Sequence, residues 1–295
     1  MLSLFLLPAV LLATVVLSGC GGDNSSSESA EAGQSPGDAP SFEPSNRLPY
    51  PVTALSHARS APCPEEMAQV GDACVDRYEA HLIVDQKVHP PSHRPPRETP
   101  FKAGAAPNLF PQAYISKTEA ADACRRSQKR LCTLAEWLRA CKGSQGFLYS
   151  YGKEEEKGRC NHGKPHLMMQ LFKDKPTIAW TYEDFNDPAL NEMPGFLGKS
   201  AEYFGCANDY GIFDMVGNLH EWVSDVVDSG LPNRIRLNKA LTKKYKENLG
   251  FGIFMGGFYS TNHEHGSGCE FITIGHEEKY HDYSTGFRCC QDAQK

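Results

Sequence analysis

The hydrophobic and polar positions divide the chain into three parts. Residues 1–18 form an uncharged, mostly apolar run, and residues 21–62 are rich in Ser, Gly, Pro and acidic side chains. Residues 63–295 mix short apolar and polar runs, as expected of one folded domain with no visible internal repeat. Because the middle part is too polar to form a core, we predict that 21–62 is a disordered tether in front of a single domain.

Two helices are predicted from their capping residues. In "SKTEAADACRRSQKR", Ser116 is followed three residues later by Glu119, which is the pattern of a capping box at the start of a helix. In "TLAEWLRACKG", Thr133 and Glu136 repeat that pattern, and Gly143 is suited to end the helix. The sequence therefore predicts two short capped helices on either side of "KRLC".

Other parts of the domain carry weaker signals. Residues 73–82 have the composition of a short extended segment. Residues 149–211 are rich in Gly, Pro, Asn and Asp and contain few periodic runs, so we expect mostly loops there. Trp137 and Trp222 each follow a glutamate, and we expect both to fill the core.

The apolar N-terminal run ends in "LSGC", which looks like the lipobox of a bacterial lipoprotein signal. Residues 1–20 would be that signal, and Cys20 would become the lipid-modified residue that anchors the protein to the cell envelope. Gly21 and Gly22 follow Cys20 without an acidic residue directly after it, which favours the outer membrane. The alternative is an uncleaved anchor, because the run is nearly long enough to span a bilayer and has no basic flank.

Charge and cysteine content limit the possible functions. The formal net charge is −6 and there is no basic run, which argues against binding to nucleic acid or docking on anionic lipid. Besides Cys20, ten of the 11 cysteines remain, an even number that allows up to five disulfides in an exported chain. Cys63 and Cys74 are close enough in sequence to staple a hairpin. Thiols paired in this way cannot also act as nucleophiles.

The segment "GIFDMVGNLHEWVSD" (211–225) resembles the signature of the formylglycine-generating enzyme, or sulfatase-modifying factor, family. Four further blocks occur in the family's order: "VDRYEA", "EAADACRRSQKRLCTLAEWLRAC", "MGGFYS" and "STGFRCC". The resemblance spans about 63–290. It implies a disulfide-rich α+β domain, related to the C-type-lectin-like fold, with little regular secondary structure.

The resemblance also implies calcium sites. Asp214 and Glu221 offer carboxylate oxygens and Gly217 and Leu219 offer carbonyl oxygens, which are the ligands that calcium prefers. These four positions match a calcium site of the family. A second family site would begin with Asn161 and the carbonyl of His162, but its other ligands cannot be placed. The alternative for both sets is a capped turn with exposed carboxylates.

The family resemblance guides the expected disulfide pairing. It implies Cys124–Cys289 and Cys141–Cys269. Cys132 lies near Cys124 in sequence and Cys290 directly follows Cys289, so we expect Cys132–Cys290 as a neighbouring bridge. Cys160–Cys206 is the pair that remains, beside Cys63–Cys74. This set leaves only Cys20 outside a disulfide.

Enzymes of this family use two cysteines after the "GG" pair to hold Cu(I) and activate oxygen, and they convert a sulfatase cysteine to formylglycine. Soft thiolates are the ligands that Cu(I) selects. Counted from Gly256 and Gly257, the matching positions in this chain are Thr261 and Gly266, and neither supplies a thiolate. The sequence therefore resembles the family's fold signature without its catalytic pair.

The histidines of "GGFYSTNHEHGSGC" offer a possible replacement. In an extended segment His263 and His265 would point to one face, where copper, zinc or iron could bind with a third ligand. Candidates for that ligand are Glu264, His220, His276 and His281. The alternative is that both are exposed loop histidines on a binding surface.

Two functional hypotheses follow. In the first, the protein is a non-catalytic lipoprotein whose calcium-stabilised domain binds a protein, peptide or glycan at the envelope. In the second, it is a divergent metal-dependent oxidase or oxygenase that acts on an exported protein or small molecule and uses copper or iron. The missing thiols favour the first hypothesis, and the histidines beside the family's active-site segment keep the second open.

Overall fold

The computed structural model describes residues 62–261 and 263–294, which include most of the predicted domain; the predicted signal, Cys20 and almost all of the tether lie outside these residues. Within the described part, eleven short strands form three small sheets, and short helices and long loops surround them. The strands are β1 (Met67–Val70), β2 (Ala73–Asp76), β3 (Ala80–Val84), β4 (Lys87–Val88), β5 (Phe101–Ala105), β6 (Arg130–Leu131), β7 (His220–Val226), β8 (Gly252–Met255), β9 (Ile272–His276), β10 (Thr285–Phe287) and β11 (Cys289–Asp292).

The three sheets are built mostly from chain segments that are far apart in sequence. Their strand orders are β1-β2-β11-β6, β10-β7-β8-β9 and β4-β3-β5. All neighbouring strands are antiparallel except β10 and β7, which are parallel. Strand β10 belongs to the second sheet and β11 to the first, so the C-terminal segment takes part in both four-stranded sheets. This mixed α+β architecture with short elements agrees with the expected fold.

Both predicted helices are present with their capping boxes. Helix α1 (Lys117–Arg126) is capped by Ser116 and Glu119, and helix α2 (Leu134–Lys142) begins at the capping residue Thr133 and ends before Gly143. The other α-helices are α3 (Leu167–Leu171), α4 (Tyr182–Phe185), α5 (Ala189–Glu192), α6 (Leu231–Arg234) and α7 (Lys239–Lys244), and 3₁₀ turns occupy Thr177–Ala179, Tyr245–Asn248 and Gly268–Glu270. Among the described residues, no helix combines the length and the apolar character that crossing a membrane requires.

Residues 149–211 contain only short helical turns and isolated bridges, as their composition predicts. The predicted extended segment at 73–82 is divided into β2 and β3, with residues 77–79 between them. The turn between β1 and β2 uses Gly71 at φ +67°, a backbone conformation that favours glycine. Cys63–Cys74 fastens the chain ahead of this hairpin to β2.

Five disulfides hold the described residues together, and their pairing is the expected one: Cys63–Cys74, Cys124–Cys289, Cys132–Cys290, Cys141–Cys269 and Cys160–Cys206. Cys289 and Cys290 are adjacent in β11, so their side chains point to opposite faces of the strand. One therefore reaches helix α1 and the other reaches the residue after β6. These links join positions 165 and 158 residues apart and limit the freedom of the unfolded chain.

The core contains both predicted tryptophans. Trp137 and Trp222 are fully buried, and each indole N–H has an acceptor: Glu221 for Trp137 at 2.6 Å and the carbonyl of Ile115 for Trp222 at 2.9 Å. The ring of Phe254 packs edge-on against Trp222 at 4.6 Å. The prediction that these aromatic residues fill the core is confirmed. Trp137 also links two parts of the site, because its indole N–H binds Glu221 and its ring lies next to Gly256 in the loop that follows β8.

Candidate functional site

The loop between β8 and β9 carries both positions that match the family's copper ligands and both histidines of the proposed replacement site. It leaves β8 at Gly256 and Gly257, which have φ of +85° and +77°. A Cβ at Gly256 would lie 2.8 Å from the carbonyl oxygen of Met215, so only glycine allows this close approach. The carbonyl of Gly256 accepts a hydrogen bond from Gly217 N at 2.9 Å, which fixes the loop against segment 214–222.

The two positions that match the family's copper ligands lie together but cannot hold copper as thiolates. Thr261 and Gly266 line one small cavity of about 20 Å³. Thr261 Oγ1 accepts a hydrogen bond from Phe258 N at 2.6 Å. Gly266 has φ +121°, and a Cβ there would lie 2.5 Å from the carbonyl oxygen of Glu270, so this backbone has no room for a side chain. All ten cysteines of the described residues are in disulfides, which leaves no thiol among them to take this role.

The two loop histidines do not share a face. Residues 263–265 form a turn closed by a 3.3 Å hydrogen bond from Gly266 N to His263 O, so the extended conformation in which both histidines would share a face is not present. His263 points to the small cavity, with Nε2 3.2 Å from a carboxylate oxygen of Glu155. His265 lines a different, larger cavity and lies 3.3 Å from Thr273 Oγ1. Among the described residues, no group of three or more His, Cys, Asp or Glu side chains is arranged to hold a metal ion.

The first candidate calcium set is dominated by a buried ion pair. Glu221 and Arg288 are almost fully buried, and Arg288 donates from Nε and Nη2 to the two Glu221 oxygens, each at 2.6 Å. Trp137 also donates to this carboxylate, while Asp214 Oδ2 accepts from Ala201 N at 2.6 Å. A carboxylate neutralised by a bidentate guanidinium has little left to offer a second cation. The geometry therefore does not fit a calcium ion held through Glu221.

A further carboxylate lies beside this pair. Glu79 is buried and accepts hydrogen bonds from the Asn218 side chain and from Leu219 N. Burial, together with the charges of Asp214 and Glu221, raises the pKa of Glu79 well above its ordinary value. Burial likewise raises the pKa of Asp214. The positive charge of Arg288 therefore compensates the negative charges of Glu221, Glu79 and Asp214.

A lysine ammonium group lies beside the second candidate calcium set, Asn161 and His162. Asn161 donates from Nδ2 to the carbonyl oxygen of Phe196 at 2.9 Å. Lys164 Nζ donates to the same carbonyl at 2.9 Å and to that of Gly195 at 2.6 Å. Burial lowers the pKa of Lys164 to about 8. Asn161 Oδ1 and His162 Nε2 are buried without partners, while the Lys164 ammonium already binds the neighbouring carbonyl oxygens. The second calcium set stays a prediction.

The large cavity has a volume of about 560 Å³ and lies between His166, Trp180, His220 and His265. A belt of aromatic rings surrounds it. Ring contacts run from Trp180 through Phe185, Tyr283, Phe258, His220, Phe254, His276 and Tyr280 to Tyr182, with neighbouring centroids 3.8–6.4 Å apart. We call these nine side chains, two of which are histidines, the aromatic belt; it begins at Trp180 and ends at Tyr182, two residues further along the chain. The shape and size are those of a small-molecule site.

Three nitrogen atoms on the cavity wall are buried without hydrogen-bond partners: His166 Nδ1, Trp180 Nε1 and His220 Nδ1. His220 is 5% exposed and its ring lies 4.8–5.5 Å from Phe254, Phe258 and Phe271. Burial among these rings lowers the pKa of His220 to about 3, so its imidazole is neutral at pH 7. Unpaired buried polar atoms are costly, and their concentration on one cavity wall points to a bound polar partner.

The sequence alone did not identify Arg288, Lys164 or the aromatic residues of the cavity as parts of a site. Arg288 is in "STGFRCC" and Lys164 is in "NHGKP", and nothing in either spacing shows that their side chains turn inward. The aromatic residues of "WTYEDF" (180–185) gave a usable signal, because they cluster in a stretch with no periodicity that would place them in the core. His281, a proposed third ligand, instead contacts Asn186 Oδ1 at 2.6 Å.

Comparison with known proteins identifies the domain. A family model described as "Sulfatase-modifying factor enzyme 1-like domain" matches residues 57–293, close to the predicted 63–295. The formylglycine-generating enzyme of Mus musculus is 32% identical over 117 residues, which are 39% of this chain and 27% of the mouse protein. The inactive C-alpha-formylglycine-generating enzyme 2 of Bos taurus is 32% identical over 117 residues, 39% of this chain and 33% of the bovine protein.

The formylglycine-generating enzyme of Mycobacterium tuberculosis is 30% identical over 114 residues, 39% of this chain and 33% of that protein. The chain thus spans about a third or less of the length of the curated relatives it matches. Among solved structures, PvdO from Pseudomonas aeruginosa gives a TM-score of 0.40 at 12% identity over 75% of this chain and 80% of that one. CarF gives 0.39 at 14% identity over 79% and 95% of the two chains.

Proposed function

The chain belongs to the sulfatase-modifying factor enzyme 1-like family, and we propose that it is a non-catalytic binding module of the bacterial cell envelope. Its ligand would occupy the large cavity rather than a copper centre. The observation that carries this proposal is the state of the two copper positions. Thr261 is a hydroxyl already bonded to Phe258 N, and Gly266 has a backbone with no space for a cysteine side chain.

Reuse of other sulfur atoms as copper ligands would require breaking a disulfide. Cys269, the cysteine nearest in sequence to the two positions, is fully buried and bonded to Cys141 of helix α2. Its reduction would release the loop from that helix. Because Cu(I) selects thiolates over hydroxyl groups, the residues that remain are poor ligands for the family's metal.

The location proposed for the protein rests on its N-terminal sequence and on its disulfides. Cys20 closes the lipobox-like "LSGC", and residues 21–62 would act as the tether between the lipid and the domain. Five disulfides suit the oxidising conditions outside the cytoplasm. The lipid would hold the domain at the envelope, in the outer membrane, where it could meet a protein, peptide or glycan partner.

The histidines that line the large cavity are the feature that supports an oxidase instead. Four of them, His166, His220, His265 and His276, contribute to its wall. The test is metal uptake by the purified full-length chain after mild chelation, with copper, iron, zinc and calcium added back separately. We expect substoichiometric copper and iron. Stoichiometric uptake of either metal that is lost in a His263→Ala/His265→Ala variant, but retained in a His89→Ala control that lies outside both cavities, would support the oxidase hypothesis instead.

A further inference from the structure

The charge of the large cavity limits what it can bind. Its described lining includes the carboxylates Glu264 and Asp282 but no lysine and no arginine. Burial lowers the pKa of each of the four histidines on the wall, so these imidazoles are neutral at pH 7. The wall is therefore acidic to neutral. An anionic ligand would find no positive side chain there, whereas a cation would be attracted.

The aromatic belt also favours a positively charged ligand. The face of an aromatic ring carries partial negative charge and attracts an ammonium group placed within about 6 Å of the ring centroid. Eight phenylalanine, tyrosine and tryptophan rings line this cavity, and two of them, Trp180 and Tyr182, have partly or fully exposed side chains. Tryptophan is the ring type that binds cations best. Several neighbouring rings give an ammonium ion more than one partner.

The unpartnered nitrogen atoms specify a second property of the ligand. The indole N–H of Trp180 can only donate a hydrogen bond, so it needs an acceptor atom on the ligand. His166 Nδ1 and His220 Nδ1 add two further positions for hydrogen bonds with a polar group. A purely apolar ligand would leave all three atoms unpaired in a buried site. A ligand with a hydrogen-bond acceptor, such as a hydroxyl or carbonyl oxygen, would pair the indole N–H.

We propose that the large cavity binds a small organic cation of the alkylammonium or methylated ammonium class that also carries a hydroxyl or carbonyl oxygen. This inference rests on the proposed binding function and names the ligand class for it. The ammonium group would lie against the aromatic belt near Glu264 or Asp282, and the oxygen would accept the hydrogen bond of Trp180 Nε1. A cavity of about 560 Å³ holds such a group with room for a larger substituent.

The test uses choline as the cationic probe and 3,3-dimethyl-1-butanol as its uncharged isostere, titrated into the full-length chain. Trp180 provides the signal. Of the three tryptophans, Trp137 and Trp222 are fully buried in the core, and Trp180 is the one on the cavity wall. We expect saturable quenching or a shift of tryptophan emission with choline, and calorimetry to give an affinity at least ten-fold tighter than that for the isostere.

Two variants test separately the negative charge of Glu264 and the hydrogen-bond donor of Trp180. Glu264→Gln removes a negative charge, and we expect choline to bind several-fold more weakly while the isostere is unaffected. Trp180→Phe keeps a ring but removes the donor, and calorimetry should show about ten-fold weaker binding. Phe110→Leu is the matched control, because Phe110 is an exposed aromatic residue outside the cavity with Lys199 5.5 Å from its ring. The control variant should bind choline like the wild type.

The results distinguish this inference from the function on which it rests. Equal affinity for choline and its isostere, or no saturable binding of choline, would overturn the assignment to organic cations. Binding of an uncharged or anionic ligand that depends on Trp180 would overturn it too, yet would leave the binding function intact. Stoichiometric copper or iron in the cavity would overturn the binding function itself.

Discussion

Replacing Arg288 with methionine is expected to destabilise the domain by about 4 kcal/mol, because the change leaves Glu221 charged, buried and unpaired. Arg288 is fully buried and makes two 2.6 Å hydrogen bonds to Glu221. It also donates to the carbonyl oxygens of Asp76 and Phe213, each at 2.9 Å. Removing one partner of a buried ion pair typically costs about 3–5 kcal/mol, which is a large part of the stability of an average domain.

The measurement is urea denaturation followed by circular dichroism, with disulfides intact and with either chelator or calcium present. A second variant, Arg288→Met combined with Glu221→Gln, should recover at least half of the loss, because the glutamine is uncharged and still accepts from Trp137. This recovery separates the ion pair from general loss of packing. A loss below about 1 kcal/mol for Arg288→Met would show that Glu221 does not depend on Arg288 for its charge compensation. Restoration of its stability by calcium alone would show instead that Glu221 is a calcium ligand.

Three other predictions concern the cavity, the anchor and the loops. Because burial lowers the pKa of His220 to about 3, the unfolded chain binds a proton at this residue that the folded protein excludes, and the contribution of His220 to the free energy of unfolding should fall by about 1.4 kcal/mol per pH unit as pH drops from about 6 to 4. His220→Phe should lessen this slope in denaturation curves, and an unchanged slope would exclude His220 as its source. Cys20→Ser should move the full-length chain from the membrane fraction to the soluble fraction, whereas retention in membranes would favour an uncleaved anchor. Replacing Cys160 and Cys206 together by serine should cost about 4 kcal/mol from the 46-residue separation, measured by urea denaturation against wild type, and a cost near zero would show that packing alone orders this loop.

Local signals predicted the parts of the fold that depend on neighbouring residues. The capping boxes at Ser116 and Thr133 place both longer helices correctly, because a cap is formed by residues three apart. The family resemblance, with the cysteines left over, gave the disulfide pairs. His263 and His265 were misplaced because alternation predicts a shared face only in an extended strand, and the chain turns between them.

Contacts between distant segments were beyond local reasoning. Arg288 reaches Glu221 across a separation of 67 residues, and no spacing rule shows that an arginine beside two cysteines will enter the core. Lys164 looks like a surface lysine until the loop at 195–196 supplies carbonyl oxygens to its ammonium group. The aromatic belt likewise combines side chains from residues 180–185, 220, 254–258 and 276–283, which meet only in the folded domain.

Oxygen consumption distinguishes a non-catalytic binding module from a copper-dependent oxidase. The full-length chain would be supplied with Cu(I), a reductant and a peptide that contains a free cysteine, and dissolved oxygen would be followed against a control without protein. We expect the same rate with and without the protein, because Thr261 and Gly266 supply no thiolate for copper. Catalytic oxygen consumption above the control, abolished by His265→Ala and unaffected by Phe110→Leu, would contradict the account and establish an oxidase.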